Sequence, residues 1–317
     1  MRKALVVGID FYNFTNPLFG CVNDAYAVKA VLDRHSDGTK NFDTEIEVST
    51  GPTAYIERKE LKNKVEELFR DKSDIALFYF SGHGYVESTG GYLITSECKD
   101  GDDGFSMNDL LEIANESPAR NKIIILDCCH SGIAGKTSPK KDKSILSEGL
   151  TILTASSETQ YAIEENNSGV FTTLFIDAMN GSASNLVGDI TPGSIYAHID
   201  QSLGAWDQRP IFKTNVTTFT TLRKVQPPIA QTDLEQLTEL FPIKGQEFKL
   251  DPSFEPTSPN PNEENVTKFK LLQKYNRINL VVPVDAEHMY YAAMESKSCK
   301  LTILGEHYWN LIFKNRL

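Results

Sequence analysis

Ile75-Ala76-Leu77-Phe78-Tyr79-Phe80 runs straight into Ser81-Gly82-His83-Gly84, and Lys122-Ile123-Ile124-Ile125-Leu126-Asp127 runs likewise into Cys128-Cys129-His130-Ser131-Gly132. Short β-branched and aromatic runs of this kind form strands, and the lack of alternation means that both faces are buried, as in a parallel sheet covered by helices. Working outward, further strands are predicted at Ala4 to Ile9, Glu45 to Ser49, Leu150 to Ala155 and Arg209 to Lys213. Helical spacing falls between them near Asp24 to His35, Tyr55 to Arg70, Ser106 to Asn115, Gly169 to Asn180 and Thr191 to Leu203. Alternating strands and helices define an α/β class with a mostly parallel six-stranded sheet. In such sheets reactive groups gather at the carboxyl ends of the strands.

The composition shifts at Gln226-Pro227-Pro228, and Asp251 to Asn262 is rich in Pro and Asn. Residues 1–225 are therefore expected as the main domain and 226–264 as linker and loop. Residues 265–317 form a small α+β module. Within it, Val266 to Arg277 reads as a helix, Ile278 to Val284 as a strand, and Lys300 to Gly305 leads into an amphipathic helix, an order that suggests a winged-helix-like shape. Tyr290, Tyr291, Tyr308 and Trp309 are expected as its core.

The 317 residues carry 32 Lys and Arg against 43 Asp and Glu, a net charge of −11 that suits a cationic partner better than a phosphate backbone. From Ala230 onward ten basic residues face twelve acidic ones, a poor footprint for a duplex despite Lys268, Lys270, Lys274 and Arg277 on one helix. No apolar run approaches the ~20 residues of a membrane span, and the N-terminal apolar stretch is too short for a secretory signal, so a cytoplasmic protein is expected. Five cysteines without a CxxC pair indicate neither a disulfide framework nor a zinc knuckle.

Two strand ends carry the chemistry. His83 and Cys129 would lie at the carboxyl ends of strands that could neighbour each other. An imidazole beside a thiol raises its thiolate fraction and later returns the proton to a leaving amine. Taken singly, each has a plainer reading, His83 as a turn residue and the cysteine as packing. Their joint occurrence 46 residues apart, near the ~50 of caspases, favours catalysis.

The sequence resembles the caspase-like cysteine peptidases, and more closely the metacaspases and their prokaryotic relatives. The resemblance rests on Ala4 to Ile9, Gly20-Cys21-Val22-Asn23-Asp24-Ala25, Ser81-Gly82-His83-Gly84, Asp127-Cys128-Cys129-His130-Ser131-Gly132, and Leu153 to Gln160 with Gly169-Val170-Phe171-Thr172. It implies a caspase-like αβα sandwich with a large-subunit-like part over 1–132, a linker loop over 133–148 and a small-subunit-like part over 149–225. It implies His83 as base, Cys129 rather than Cys128 as nucleophile, and the amides of Gly84 and Cys129 as oxyanion hole. No third, orienting carboxylate is assigned.

The family's pocket for a basic residue corresponds here to Asp24 and Asp127, with Cys21 and Ser81 on its wall. Two carboxylates can hold a guanidinium or ammonium, so cleavage after Arg or Lys is expected rather than after Asp. Alternatively, Asp24 caps its helix and Asp127 ends its strand. Many metacaspases need calcium, but Gly90-Gly91-Tyr92-Leu93 and Ile133-Ala134-Gly135-Lys136 lack the acids, and Asp100 to Gly104 reads as a solvated turn. No cofactor or metal is therefore expected. The basic segment Lys136 to Lys143 is either a site of regulatory cleavage or an uncut surface loop. Thr154 to Ser157 could pair with an extended peptide.

The partners implied are a protein substrate cleaved at Arg or Lys and a regulatory protein docking on the C-terminal module, with no nucleic acid and no membrane. Metacaspases are commonly monomeric, so a monomer is implied, and prokaryotic relatives suggest regulated cell death or anti-phage defence. The alternative is a non-catalytic scaffold or regulator acting through the C-terminal module.

Overall fold

The computed structural model describes residues 1–128, 145–155, 164–165, 168–204 and 209–317. Cys129, most of the expected 133–148 loop and Ser156 to Gln160 lie outside them. The chain divides into two compact units, Met1–Gln226 and Pro227–Leu317.

The first unit runs β1 (Arg2–Ile9), α1 (Cys21–Asp33), β2 (Asp43–Ser49), α2 (Arg58–Arg70) and β3 (Ile75–Ser81). Three short strands follow, β4 (Gly84–Glu87), β5 (Gly90–Leu93) and β6 (Phe105–Ser106), then α3 (Met107–Glu116), β7 (Asn121–Asp127) and β8 (Leu150–Thr154). Beyond these come β9 (Glu164–Glu165), β10 (Ser168–Gly169), α4 (Val170–Asp177), β11 (Asp189–Ile190), α5 (Pro192–Ser202), β12 (Ile211–Asn215) and β13 (Arg223–Lys224).

Six strands form one sheet in the order β12-β8-β7-β3-β1-β2, parallel except for β12. The uninterrupted apolar runs have the expected cause, burial on both faces. In β3, Ala76, Phe78 and Phe80 join Leu61 and Val65 of α2 and Leu110 of α3. Ile75, Leu77 and Tyr79 join Ala25 and Val28 of α1, Phe171 and Phe175 of α4 and Ile199 of α5 on the other face. Phe78 is wholly enclosed, so Phe78→Ala would cost about 3–5 kcal/mol. No helix among the described residues is long and apolar enough to cross a membrane.

The second unit contains α6 (Gln231–Glu235), α7 (Leu237–Leu240), β14 (Phe248–Lys249), α8 (Glu263–Arg277), β15 (Val281–Val284), α9 (Met289–Met294), β16 (Ser298–Leu301) and α10 (Ile303–Phe313). Its antiparallel sheet has the order β14-β16-β15. The strand expected at Ile278 to Val284 is β15, which α9 joins to β16, and β14 adds a third strand.

Two expectations for this unit are corrected. Residues 227–264 belong to the second unit and bury Leu234, Leu237, Phe241, Leu250 and Phe254 in it rather than forming a linker. Trp309 Nε1 of α10 donates to the carbonyl of Phe241 at 2.6 Å, Tyr275 of α8 donates to the carbonyl of Asp233, and Phe254 packs edge-on to Phe269. Tyr308 and Trp309 are buried as expected, but Tyr290 and Tyr291 are 44% and 45% exposed. On the six-residue α9 the positions that turn inward are Met289, Ala292 and Ala293, which leaves the two tyrosines outside. Of the four cations on α8, Lys268 and Lys274 are paired with Glu264 and Asp233.

Candidate active site

The site lies at the carboxyl ends of β1, β3 and β7. These strands are neighbours in register, with Gly8 opposite Ser81 and Ser81 opposite Asp127. The two strand ends singled out in the sequence are therefore adjacent.

His83 is half-buried just beyond β3. Its backbone N–H donates to the Tyr12 hydroxyl at 2.8 Å, and the two rings lie 4.7 Å apart in a tilted contact. Its Nε2 is 2.8 Å from the carbonyl oxygen of Asn16 in the β1–α1 loop. A carbonyl only accepts, so Nε2 carries the hydrogen and the neutral ring keeps its lone pair on Nδ1. The orienting group that no carboxylate supplied is thus a backbone carbonyl. Beyond His83, the bond from the Ile94 N–H to the His83 carbonyl, 3.0 Å, makes Gly84 and Leu93 a non-hydrogen-bonded pair of the β4–β5 ladder. The Gly84 N–H therefore points away from β5.

On the opposite sheet face two carboxylates converge. Asp24, 2% exposed, takes the Ser168 hydroxyl at 2.5 Å on Oδ1, and the Gly169 N–H at 3.0 Å and the Ser81 hydroxyl at 3.5 Å on Oδ2. Asp127, 5% exposed, takes the Thr172 hydroxyl at 2.6 Å, and the Thr172 oxygen lies 2.5 Å from the Tyr79 hydroxyl. With the Thr172 hydrogen directed at Asp127, Tyr79 must be the donor to Thr172, so a hydroxyl relay ends on the carboxylate. Burial first, and then Asp127 and Asp24, push the Tyr79 phenol well above its usual range, so it stays a donor.

Gly169 fits between the acids for want of a side chain. A Cβ there would stand 2.4 Å from Asp127 Oδ2 and 3.2 Å from Asp24 Oδ2. Asp24 does not cap α1. That role falls to Asp10, whose Oδ1 accepts the N–H groups of Cys21 and Val22 at 2.9 and 3.3 Å. Burial raises the Asp10 pKa against the pull of those two bonds.

The structure thus brings Asp24, Ser81 and Asp127 together, with buried Cys21 at the start of α1 and His83 and Gly84 on the adjoining strand end. Cys129 is two residues beyond Asp127 and outside the described residues. Sequence reasoning missed Tyr12, the Asn16 carbonyl and Ser168. It noted Thr172 only as part of a motif. Carboxylates of the acidic turn bond to its own backbone. The Asp103 carboxylate accepts the N–H groups of Lys99 and Asp100, and the Asp100 side chain accepts that of Asp103.

A family model described as a caspase domain matches residues 1–229. The chain belongs to the caspase-domain family. Metacaspase-9 of Arabidopsis thaliana is 29% identical over 216 residues, 64% of this chain and 63% of its own length. Metacaspase-4 of the same plant is 31% identical over 149 residues, 41% of this chain and 34% of its own. The chain thus spans less than two thirds of these relatives. Among solved structures, a Geobacter sulfurreducens protein matches 71% of this chain and all of its own at TM-score 0.54 and 15% identity. Caspase-1 of Spodoptera frugiperda matches 71% of this chain and 91% of its own at TM-score 0.50 and 13% identity. These likenesses carry the caspase-like fold of the first unit, and the winged-helix expectation for the second stays an expectation.

Proposed function

We propose that this protein is a cysteine endopeptidase that cleaves proteins after Arg or Lys. One observation carries the reading: two buried carboxylates, Asp24 and Asp127, converge around Gly169 at the strand ends beside His83. A guanidinium or ammonium seated there would exchange water for charge-assisted bonds. An aspartate would meet like charge.

In the proposed mechanism His83 Nδ1 takes the Cys129 proton and the thiolate attacks the scissile carbonyl carbon. The oxyanion gathers on the N–H groups of Gly84 and Cys129. The C–N bond then breaks, His83 protonates the leaving amine, and water activated by His83 hydrolyses the thioester. No metal takes part in this scheme, so a chelator is expected to leave the rate unchanged. Activity lost in chelator and restored by Ca²⁺ would reverse that part. We further infer a monomer acting on a precursor protein in regulated cell death or defence.

The decisive test is a cleavage-product map by mass spectrometry, with the Cys129→Ala protein as control. Products ending in Arg or Lys, absent from the control, are expected. Equal silence of both proteins on Arg and Lys substrates would sink the peptidase reading and favour a scaffold.

A further inference from the structure

His83 has two sides. On one stand the acids of the α1–α4 face. On the other opens a cavity of about 300 Å³ lined by Phe14, His83, Tyr85, Ile94, Cys98 and Lys99. Its inner wall, Ile94 and Cys98, belongs to the core of the α2–α3 face. The size is at the lower end of the ~300–1,000 Å³ typical of ligand pockets.

The outer walls are aromatic. Phe14 and Tyr85 are 58% and 41% exposed, and each is held in place. The Tyr85 ring lies flat on the backbone of Gly101, where a Cβ would fall 1.8–2.3 Å from three ring atoms. The Lys99 ammonium sits 5.3 Å over the Phe14 ring, an attraction to its π face. Several polar groups at or near the rim are engaged within their own turn. Asp100 and Asp103 accept the backbone bonds described above, and Cys98 Sγ is 3.1 Å from the Thr95 hydroxyl. Beside these polar groups, Phe14, Tyr85 and Ile94 supply the apolar surface that the cavity offers a ligand.

We propose that this cavity is the subsite for the residue that follows the scissile bond, and that it takes a large apolar side chain. The inference rests on the peptidase reading above. If the basic residue reaches toward Asp24 and Asp127, the scissile bond lies over His83, and the leaving amine must be within reach of that imidazole. The chain then continues over the other sheet face, where the cavity begins at His83 itself. The lining carries one charge of each sign, Lys99 and Asp100, so a charged side chain of either sign gains from one and loses to the other. An apolar side chain loses water against Phe14, Tyr85 and Ile94 without either conflict.

Internally quenched peptides with Arg before the scissile bond and Phe, Leu, Ala, Asp or Lys after it test this on the full chain. Phe and Leu are expected to exceed Asp about tenfold in kcat/KM, the worth of partly burying one apolar side chain. Phe14→Ala, at an exposed position that does not threaten folding, should cut that preference to about twofold. Gly101→Ala should displace the Tyr85 ring and reorder Phe against Leu. Cleavage after Arg with a flat profile, or a profile that both variants leave untouched, overturns the subsite while the peptidase reading stands. Failure to cleave any of the peptides overturns both.

Discussion

The central sheet buries charge of opposite sign at its two ends. At the carboxyl end Asp24 and Asp127 are met by hydroxyls and an N–H. At the amino end Arg2 donates to the carbonyls of Thr221 and Leu222 and lies over the Phe42 ring, and Lys122 donates to the carbonyl of Glu148. Burial pushes the Arg2 guanidinium down to about 10 and the Lys122 ammonium down as well. A buried charge needs partners at either end. The difference lies in what the partners do. The cations fasten distant segments, β1 to residues 221–222 and β7 to residue 148, whereas the two acids face each other across a glycine. The first arrangement stabilises, and the second is the one proposed to receive the basic side chain.

That contrast predicts activity losses without unfolding at one end and the reverse at the other. The largest effect belongs to the groups proposed to do the chemistry. Cys129→Ala or His83→Ala should lower kcat/KM on Arg peptides by at least about 10³-fold with the thermal midpoint nearly unchanged. A loss of less than about 10-fold in either variant would place the chemistry elsewhere. Asp127→Asn comes next. It keeps the shape, removes one charge from the guanidinium, and should cost about 100-fold on Arg peptides, on the order of 2–3 kcal/mol. If Arg cleavage held while only the thermal midpoint moved, the carboxyl end would be as structural as the amino end.

Thr172→Val sharpens the comparison by acting one bond away. It removes the donor to Asp127 and the acceptor of Tyr79, each worth about 1–3 kcal/mol when left unsatisfied in a buried place. Loss should appear as a raised KM for Arg peptides together with a lower thermal midpoint. Thr172→Ser keeps the hydroxyl and should restore KM, an outcome that a purely packing role for the threonine would not give. Against this, Arg2→Met at the other end should lower stability by roughly 1–2 kcal/mol and leave KM alone.

What the sequence made legible follows the same division between side chains and backbone. The six strands were readable because two-sided burial forces uninterrupted runs such as Ile123 to Leu126. The placement of His83, Asp24 and Asp127 at strand and helix ends was readable because those elements were legible around them. Asn16 was not, because any residue presents the same carbonyl and only the path of the β1–α1 loop aims it at His83. Tyr12 and Ser168 lie far from their partners in sequence, with no periodicity to link them. Residues 227–264 misled through composition. Pro, Asn and Ser mark a loop, yet three aromatics, Phe241, Phe248 and Phe254, suffice to pin it. Tyr290 and Tyr291 misled in the opposite sense, since aromatic identity reads as core while a six-residue helix has only one inward side.

The smallest expected effect tests the amino end by pH. Burial, and then Arg2, Lys224 and Arg223, lower the His35 pKa against the opposing pull of Asp37. His35 Nδ1 also accepts the Lys224 N–H at 3.0 Å, which requires that nitrogen unprotonated. The folded state therefore binds a proton less readily than the unfolded chain, whose histidine titrates near ~6.5. The linkage has one sign: this contribution is fully present above that value and is lost as pH falls through the lower folded pKa. His35→Gln keeps an acceptor that does not titrate. The urea midpoint of the variant should fall less than that of the wild type between pH 8 and 5.5, with equal kcat/KM at pH 8. Parallel declines would mean that the cations at this end do not bear on His35. A change in kcat/KM would mean that the two ends of the sheet are coupled after all.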